Sequence, residues 1–178
     1  MIDPGARARD RILVVGNPYL GDTMLAVPLL RNLRRSFPDS AIDLLAEGAA
    51  VGKLLAGCPY VDEVLRWERP PRAAAGRRRP VVASLESIEA CAAMLRPRRH
   101  ARAYVLKRSA SAALVVARAG IPHRVGHARG AASLLLTRAV RLPRDRHYAD
   151  GLLDLLRADG LPVDDGHAAH WGAAVPVR

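Results

Sequence analysis

The sequence has 178 residues, half of them hydrophobic, and a formal net charge of +11. That length suits one domain and is short for two, and the apolar content excludes a globally disordered chain. The charge alone suggests nucleic acid or an anionic surface, but only Lys53 and Lys107 among the 28 basic residues are lysines, and the arginines accompany abundant Ala, Gly and Pro, as a GC-rich coding sequence yields without selection for a ligand.

The opening MIDPGARARD has no apolar h-region and does not read as a secretory signal. No apolar run approaches the ~20 residues of a membrane span. The expectation is a cytoplasmic protein, soluble or lying on a membrane surface. Cys58 and Cys91 stand outside any C-x-x-C or Cys/His spacing, which suggests reduced, buried thiols.

Residues 11–16, RILVVG, form a short apolar run ending in Gly, as a buried parallel strand does. The loop NPYLG follows. DTMLAVPLLRNLRRSF then sets Met24, Val27, Leu30, Leu33 and Phe37 at helical spacing, with Arg31, Arg34 and Arg35 outside. Pro28 falls in its second turn, where a local distortion is expected. AIDLLA (41–46) is a second strand, GAAVGKLLAG a short helix closed by Gly57, and VDEVLRW (61–67) a third strand. ERPPRAAAGRRRP reads as an exposed basic loop. ASLESIEACAAMLR (83–96) is a helix with Ser84, or else Ser87, as its N-cap. RAYVLK (102–107) is the fourth strand, SASAALVVARAG a helix ended by Gly120, and HRVGH a short fifth strand. LLLTRAVRLP is extended and amphipathic, and RDRHYADGLLDLLRADG is the last helix. The tail, rich in Pro, Gly and Ala, reads as a linker over 163–178 after a domain spanning 11–162. Strands alternating with helices predict an α/β, Rossmann-like parallel sheet with helices on both faces.

In an open parallel sheet, ligands bind beyond the carboxyl ends of the strands. The first such place is Gly16–Asp22. Gly16 and Gly21 have phosphate-loop spacing, but Asp22 and Thr23 stand where that loop needs Lys and Ser/Thr, and G-x-G-x-x-G is absent. A carboxylate repels phosphate. Asp22 is either an N-cap or a general base at the mouth of the sheet. The second place is Lys107-Arg108-Ser109-Ala110-Ser111, whose cations and hydroxyls suit an anionic or polyhydroxyl ligand, or a solvated strand end with a Ser N-cap. His123 and His127 are four apart, but Pro122 and Gly126 oppose a helix there, so no metal site is expected. His147 either lines the cleft or caps and packs. Arg72, Arg77, Arg78 and Arg79 are either solvated or attract phosphate and carboxylate groups.

RILVVGNPYLGDTMLAVPLLRNLRRSFPDSAIDLLA resembles the opening of the glycosyltransferase family that includes the ADP-heptose:lipopolysaccharide heptosyltransferases, glycosyltransferase family 9. VDEVLRW, RAYVLKRSASAALVVARAGIPHRVGHARG and LLLTRAVRLPRDRHYADGLLDLLRADGL continue the resemblance in order, nearest to the heptosyltransferase II branch and over about residues 11–162. The resemblance implies a GT-B enzyme of two Rossmann-like domains, of which this chain is the N-terminal, acceptor-side one. Asp22 matches the family's proposed catalytic aspartate, which deprotonates the acceptor hydroxyl as it attacks the anomeric carbon with inversion.

The implied acceptor-binding set is Gly21, Arg77, Arg78, Arg79, Lys107, Ser109, Ser111, Arg124 and His147. The implied partners are the lipopolysaccharide core acceptor and the donor ADP-heptose, the latter bound mainly by a C-terminal domain outside this sequence. Peripheral contact with the inner membrane fits that role, and no cofactor or metal is implied. Without that domain the chain is expected to be inactive. The alternatives are a non-catalytic or truncated basic module that binds anionic glycan, or one that binds nucleic acid. Against nucleic acid stand the scarcity of aromatic residues for base stacking, 4% of the chain, and the lack of a recognition motif.

Overall fold

The computed structural model describes residues 10–47, 49–55, 57–67, 84–127, 130–141 and 147–164. Six strands, β1 (Arg11–Val15), β2 (Ala41–Ala46), β3 (Glu63–Arg66), β4 (His100–Val105), β5 (His123–His127) and β6 (Arg138–Val140), form one sheet in the order β3-β2-β1-β4-β5-β6. Every pairing is parallel. The strands that leave β1 and β4 therefore travel in opposite directions across the sheet, and the crevice between the carboxyl ends of those two strands is its topological switch point.

The pleat sorts the apolar side chains into two cores. Ile12, Val14, Ile42 and Leu44 face α2 (Val27–Ser36) and α6 (Tyr148–Ala158), packing with Leu29, Leu30, Leu33, Leu152 and Leu156. Leu13, Val15, Leu45 and Leu65 face α4 (Leu85–Leu95) and α5 (Ala110–Arg118), packing with Ile88, Leu95, Val115 and Val116. Each fully buried Leu or Val contributes about 1.5–3 kcal/mol relative to exposure.

The single helix expected over 22–37 is two. Helix α1 (Leu20–Leu25) begins inside the loop and stops at Ala26, and α2 restarts at Val27 with Pro28 in its first turn. Pro28 has no N–H to give to the preceding turn but is well tolerated in a helix's opening turn, so the break falls just before it. Helix α3 (Ala49–Leu54) joins β2 to β3. The stretch expected to be extended over 134–143 starts as a 3-10 turn, Gly130–Leu135, before β6. Ser84 and Ser109 cap α4 and α5, accepting from the N–H of Ser87 and Ala112. Val163 packs against the α2/α6 core, and the Asp164 N–H donates to Asn32 Oδ1 at 2.8 Å while its carboxylate meets Arg35 at 2.6 Å. The first residues assigned to the linker are thus fastened to α2.

Two buried carboxylates tie the amino-terminal side of the sheet. Asp43, fully buried in β2, accepts from Arg11 Nη2 at 2.8 and 2.9 Å and faces His100 Nε2 at 2.8 Å. Burial pushes its carboxyl up, but the bonds from His100 and Arg11 outweigh this and hold it below the ordinary value. Asp159, just past α6, accepts from Tyr104 Oη at 2.6 Å and faces His123 Nε2 at 2.6 Å, with Arg102 at 3.4 Å. Burial raises it too, and His123, Tyr104 and Arg102 bring it net below the ordinary value. His123 is thereby committed to Asp159, far from the carboxyl edge.

Candidate functional site

The crevice at the switch point is built from the ends of β1 and β4 and the starts of α1 and α6. β1 runs into Gly16, whose N–H donates to Leu45 C=O at 2.9 Å, and then into Asn17. The turn Pro18–Tyr19 leads into α1, whose side-chain cap is absent: Tyr19 holds the N-cap position without a side-chain bond. Asp22 lies in the first turn of α1, not at the N-cap. This corrects the capping alternative. The half-buried carboxylate takes no hydrogen bond from any described residue. Gly21 is exposed, and a Cβ at that position would meet nothing within 4 Å, so it borders open space.

Tyr148 opens α6 and reaches into the same crevice. Its hydroxyl accepts a short hydrogen bond from Asn17 Nδ2 and makes a long one to Leu106 C=O at 3.5 Å. Burial raises its pKa; the Asn17 bond lowers it, the charge of Asp22 raises it, and that of Arg108 lowers it. Tyr148 therefore sits within electrostatic reach of both Asp22 and Arg108, which joins β1, α1, β4 and α6 in one site. His147 is the exposed N-cap of α6, and its Nδ1 accepts from the Ala149 N–H at 3.3 Å.

Lys107 has a different environment from a solvated cation. It is buried at the end of β4, where its ammonium pairs with Glu47 beyond β2 and lies 4.9 Å from the Trp67 ring centre. Burial pushes the Lys107 pKa down to about 8. Arg108 is the exposed cation of this turn, Ser109 is the α5 cap, and Ser111 is 4% exposed inside α5.

Arg124 does not join the crevice. Its guanidinium donates to the carbonyls of Ile121 at 2.5 Å and Leu135 at 2.8 Å, which ties the entry of β5 to the 3-10 turn after it. An arginine so committed is withdrawn from ligand contact, a correction to its expected place. Arg77, Arg78 and Arg79 lie outside the described residues. His127 is buried with its ring nitrogens 3.1 Å from Val140 C=O and 3.0 Å from Gly151 C=O, and burial lowers its pKa. Among the described residues no group of three His, Cys, Asp or Glu side chains is arranged to hold a metal. None of the described helices is long and apolar enough to cross a membrane.

Sequence reasoning passed over Asn17, Tyr148, Glu47 and Trp67. Asn17 lies within the glycine-bearing loop Gly16–Asp22, but its partner Tyr148 is 131 positions away, and no spacing rule spans that separation.

No family model matches the chain. It is 38% identical over 117 residues to lipopolysaccharide heptosyltransferase 2 of Escherichia coli, a match covering 65% of this chain and 30% of that protein. The Salmonella typhimurium protein of the same name is 35% identical over the same shares. The solved structure of E. coli ADP-heptose lps heptosyltransferase II matches 85% of this chain and 44% of its own, with TM-score 0.67 and 31% identity. A glycosyl transferase family 9 structure from Veillonella parvula matches 86% of this chain and 42% of its own with TM-score 0.71; at 22% identity it speaks for the fold alone. The chain spans less than half the length of these relatives.

Proposed function

We propose that this chain, which belongs by sequence and fold with the heptosyltransferases of glycosyltransferase family 9, acts as the acceptor-side half of such an enzyme, with Asp22 as the general base. The observation that carries the reading is the Asp22 carboxylate, unpaired among the described residues at the switch point of a sheet shared with a heptosyltransferase. A base needs a free carboxylate within hydrogen-bond reach of the proton it removes. In the proposed step Asp22 takes the proton of an acceptor hydroxyl, whose oxygen forms a bond to the anomeric carbon of ADP-heptose from the face opposite the leaving group. The anomeric carbon–oxygen bond breaks, ADP departs with the electron pair, and configuration inverts.

The acceptor is the phosphorylated inner core of lipopolysaccharide, and the chain works at the cytoplasmic face of the inner membrane. Arg108 at the crevice and the arginines at 77–79 supply charge for its phosphates. Exposed cation–phosphate contacts fade with salt over a Debye length of about 8 Å at physiological ionic strength, so neutralising Arg77, Arg78 and Arg79 lowers affinity for the phosphorylated core and flattens its salt dependence. The donor's diphosphate needs its own electrostatic support as it leaves. That support is assigned to the part of the relatives this chain does not match.

The test is heptose transfer from ADP-heptose to a phosphorylated core acceptor, by the 178-residue chain and by the chain joined to the C-terminal half of the E. coli relative. The reading expects activity only from the joined protein. Transfer by the short chain alone overturns the division of labour, and a joined protein that folds but neither binds acceptor nor transfers heptose overturns the reading.

A further inference from the structure

The hydroxyl of Tyr148 orders the crevice in a way the general-base reading does not use. Its oxygen faces two partners, Asn17 Nδ2 and Leu106 C=O. In this geometry the tyrosine oxygen accepts from the Asn17 amide nitrogen, which leaves its own proton free to turn toward Leu106 C=O, a long contact at 3.5 Å. The Asn17 amide is oriented accordingly. Its nitrogen turns toward α6, and its carbonyl oxygen turns away with no partner among the described residues. The residue is only 8% exposed, yet that oxygen is not among the atoms sealed from solvent without a hydrogen bond. A nearly buried amide, locked by one of its ends, thus presents an acceptor into the crevice five positions before Asp22.

The chemistry of that pair is selective. Asp22 and Asn17 both offer oxygens that accept, and neither welcomes phosphate. A ligand portion that fits between them must bring donors without negative charge, which a sugar ring does through adjacent hydroxyls. Phosphates would be drawn instead to Arg108, exposed on the β4 side. We propose that Asn17 Oδ1 accepts a hydrogen bond from a hydroxyl of the acceptor sugar beside Asp22, and that Tyr148 is the positioning residue that holds Asn17 in that orientation. The proposal rests on the acceptor-domain reading above.

The experiment needs no turnover. The 178-residue chain is titrated by calorimetry with a deacylated, phosphorylated inner-core oligosaccharide, at low and at high salt, beside its Asn17→Ala and Tyr148→Phe forms. One neutral hydrogen bond lost gives Asn17→Ala an affinity about three- to tenfold weaker. Because no charge is removed, that ratio persists at high salt, whereas loss of a cation would matter less there. Tyr148→Phe keeps the ring packing and is expected to weaken binding about threefold, and adding Asn17→Ala to it costs little more than Asn17→Ala alone, because the two act as one unit. Unchanged affinity in Asn17→Ala overturns the inference and leaves the acceptor-domain reading standing. Should Asn17→Ala fail to fold by circular dichroism, unchanged affinity in Tyr148→Phe overturns it. Absence of binding by the unaltered chain overturns the acceptor-domain reading, and the inference with it.

Discussion

Replacing Asp43 by Asn keeps the shape of a fully buried side chain and removes its charge. The carboxylate takes Arg11 through contacts at 2.8, 2.9 and 3.2 Å and His100 at 2.8 Å, with Arg98 3.6 Å away. An amide puts N–H groups against those donors and leaves Arg11 and Arg98 with Glu63 alone as counter-charge. Removing one partner of a buried pair costs about 3–5 kcal/mol. The low end, about 3 kcal/mol, is the better figure here, because Arg11 is 36% exposed at its side chain and Glu63 offers it a second carboxylate at 3.5 Å. For a domain of this size about 3 kcal/mol lowers Tm by roughly 6–12 °C. The pH dependence carries a definite sign. Asp43 is held below the ordinary value of 3.8 in the fold, so its contribution is present above 3.8 and lost as pH falls through the lower folded value. The gap in Tm between the unaltered chain and Asp43→Asn, followed by circular dichroism, is therefore expected to be full at neutral pH and to shrink in acid below 3.8. A loss under about 1 kcal/mol at neutral pH, or a gap that does not narrow in acid, refutes the reasoning.

Gly126→Ala places a Cβ 2.8 Å from Val105 Cβ and 3.0 Å from Val105 C=O, neither of which can swing aside; it is expected to cost about 1–3 kcal/mol in thermal unfolding, and a neutral result contradicts the close approach of β4 and β5. Lys107, pushed to about 8 by burial from an ordinary 10.5, is deprotonated in the fold while still protonated in the unfolded chain across that interval, so folding stability rises with pH through it. Lys107→Met should flatten that rise in denaturant unfolding, and an equal rise in both proteins refutes the assignment.

The fold was legible because its signals are local. Apolar runs at strand length, helical spacing from Val27 to Leu33, the Ser84 and Ser109 caps, and Gly57, Gly120 and Gly160 at positive φ each announce themselves within a few residues. The break before Pro28 was half legible: the proline marked a distortion, but where the helix would part depended on how early α1 began in the loop. The interior charges were not legible. AIDLLA reads as an apolar strand, and Asp43 becomes intelligible only when Arg11, 32 positions away, and His100, 57 positions away, arrive beside it. The same holds for Lys107, whose partner Glu47 is 60 positions off. Read locally, Lys107 looked like a cation awaiting an anionic ligand, and the family resemblance put Arg124 in the same role. Folding gave Lys107 a carboxylate and a tryptophan ring, and gave Arg124 a set of carbonyls. Asp22 stood out in the chain because a carboxylate follows a glycine where a phosphate loop would carry lysine, and the fold sets it at the switch point without a hydrogen-bond partner among the described residues.

The most direct measurement compares heptose transfer by the chain joined to a donor-binding C-terminal half with transfer by its Asp22→Asn form. Asn fits the same place in the first turn of α1 and cannot take a proton. The account predicts an unchanged Tm, unchanged acceptor affinity within a few-fold, and turnover lower by about 10²–10⁴, the span a positioned general base supplies. Near-normal turnover in Asp22→Asn would contradict it and return Asp22 to a role in the helix alone.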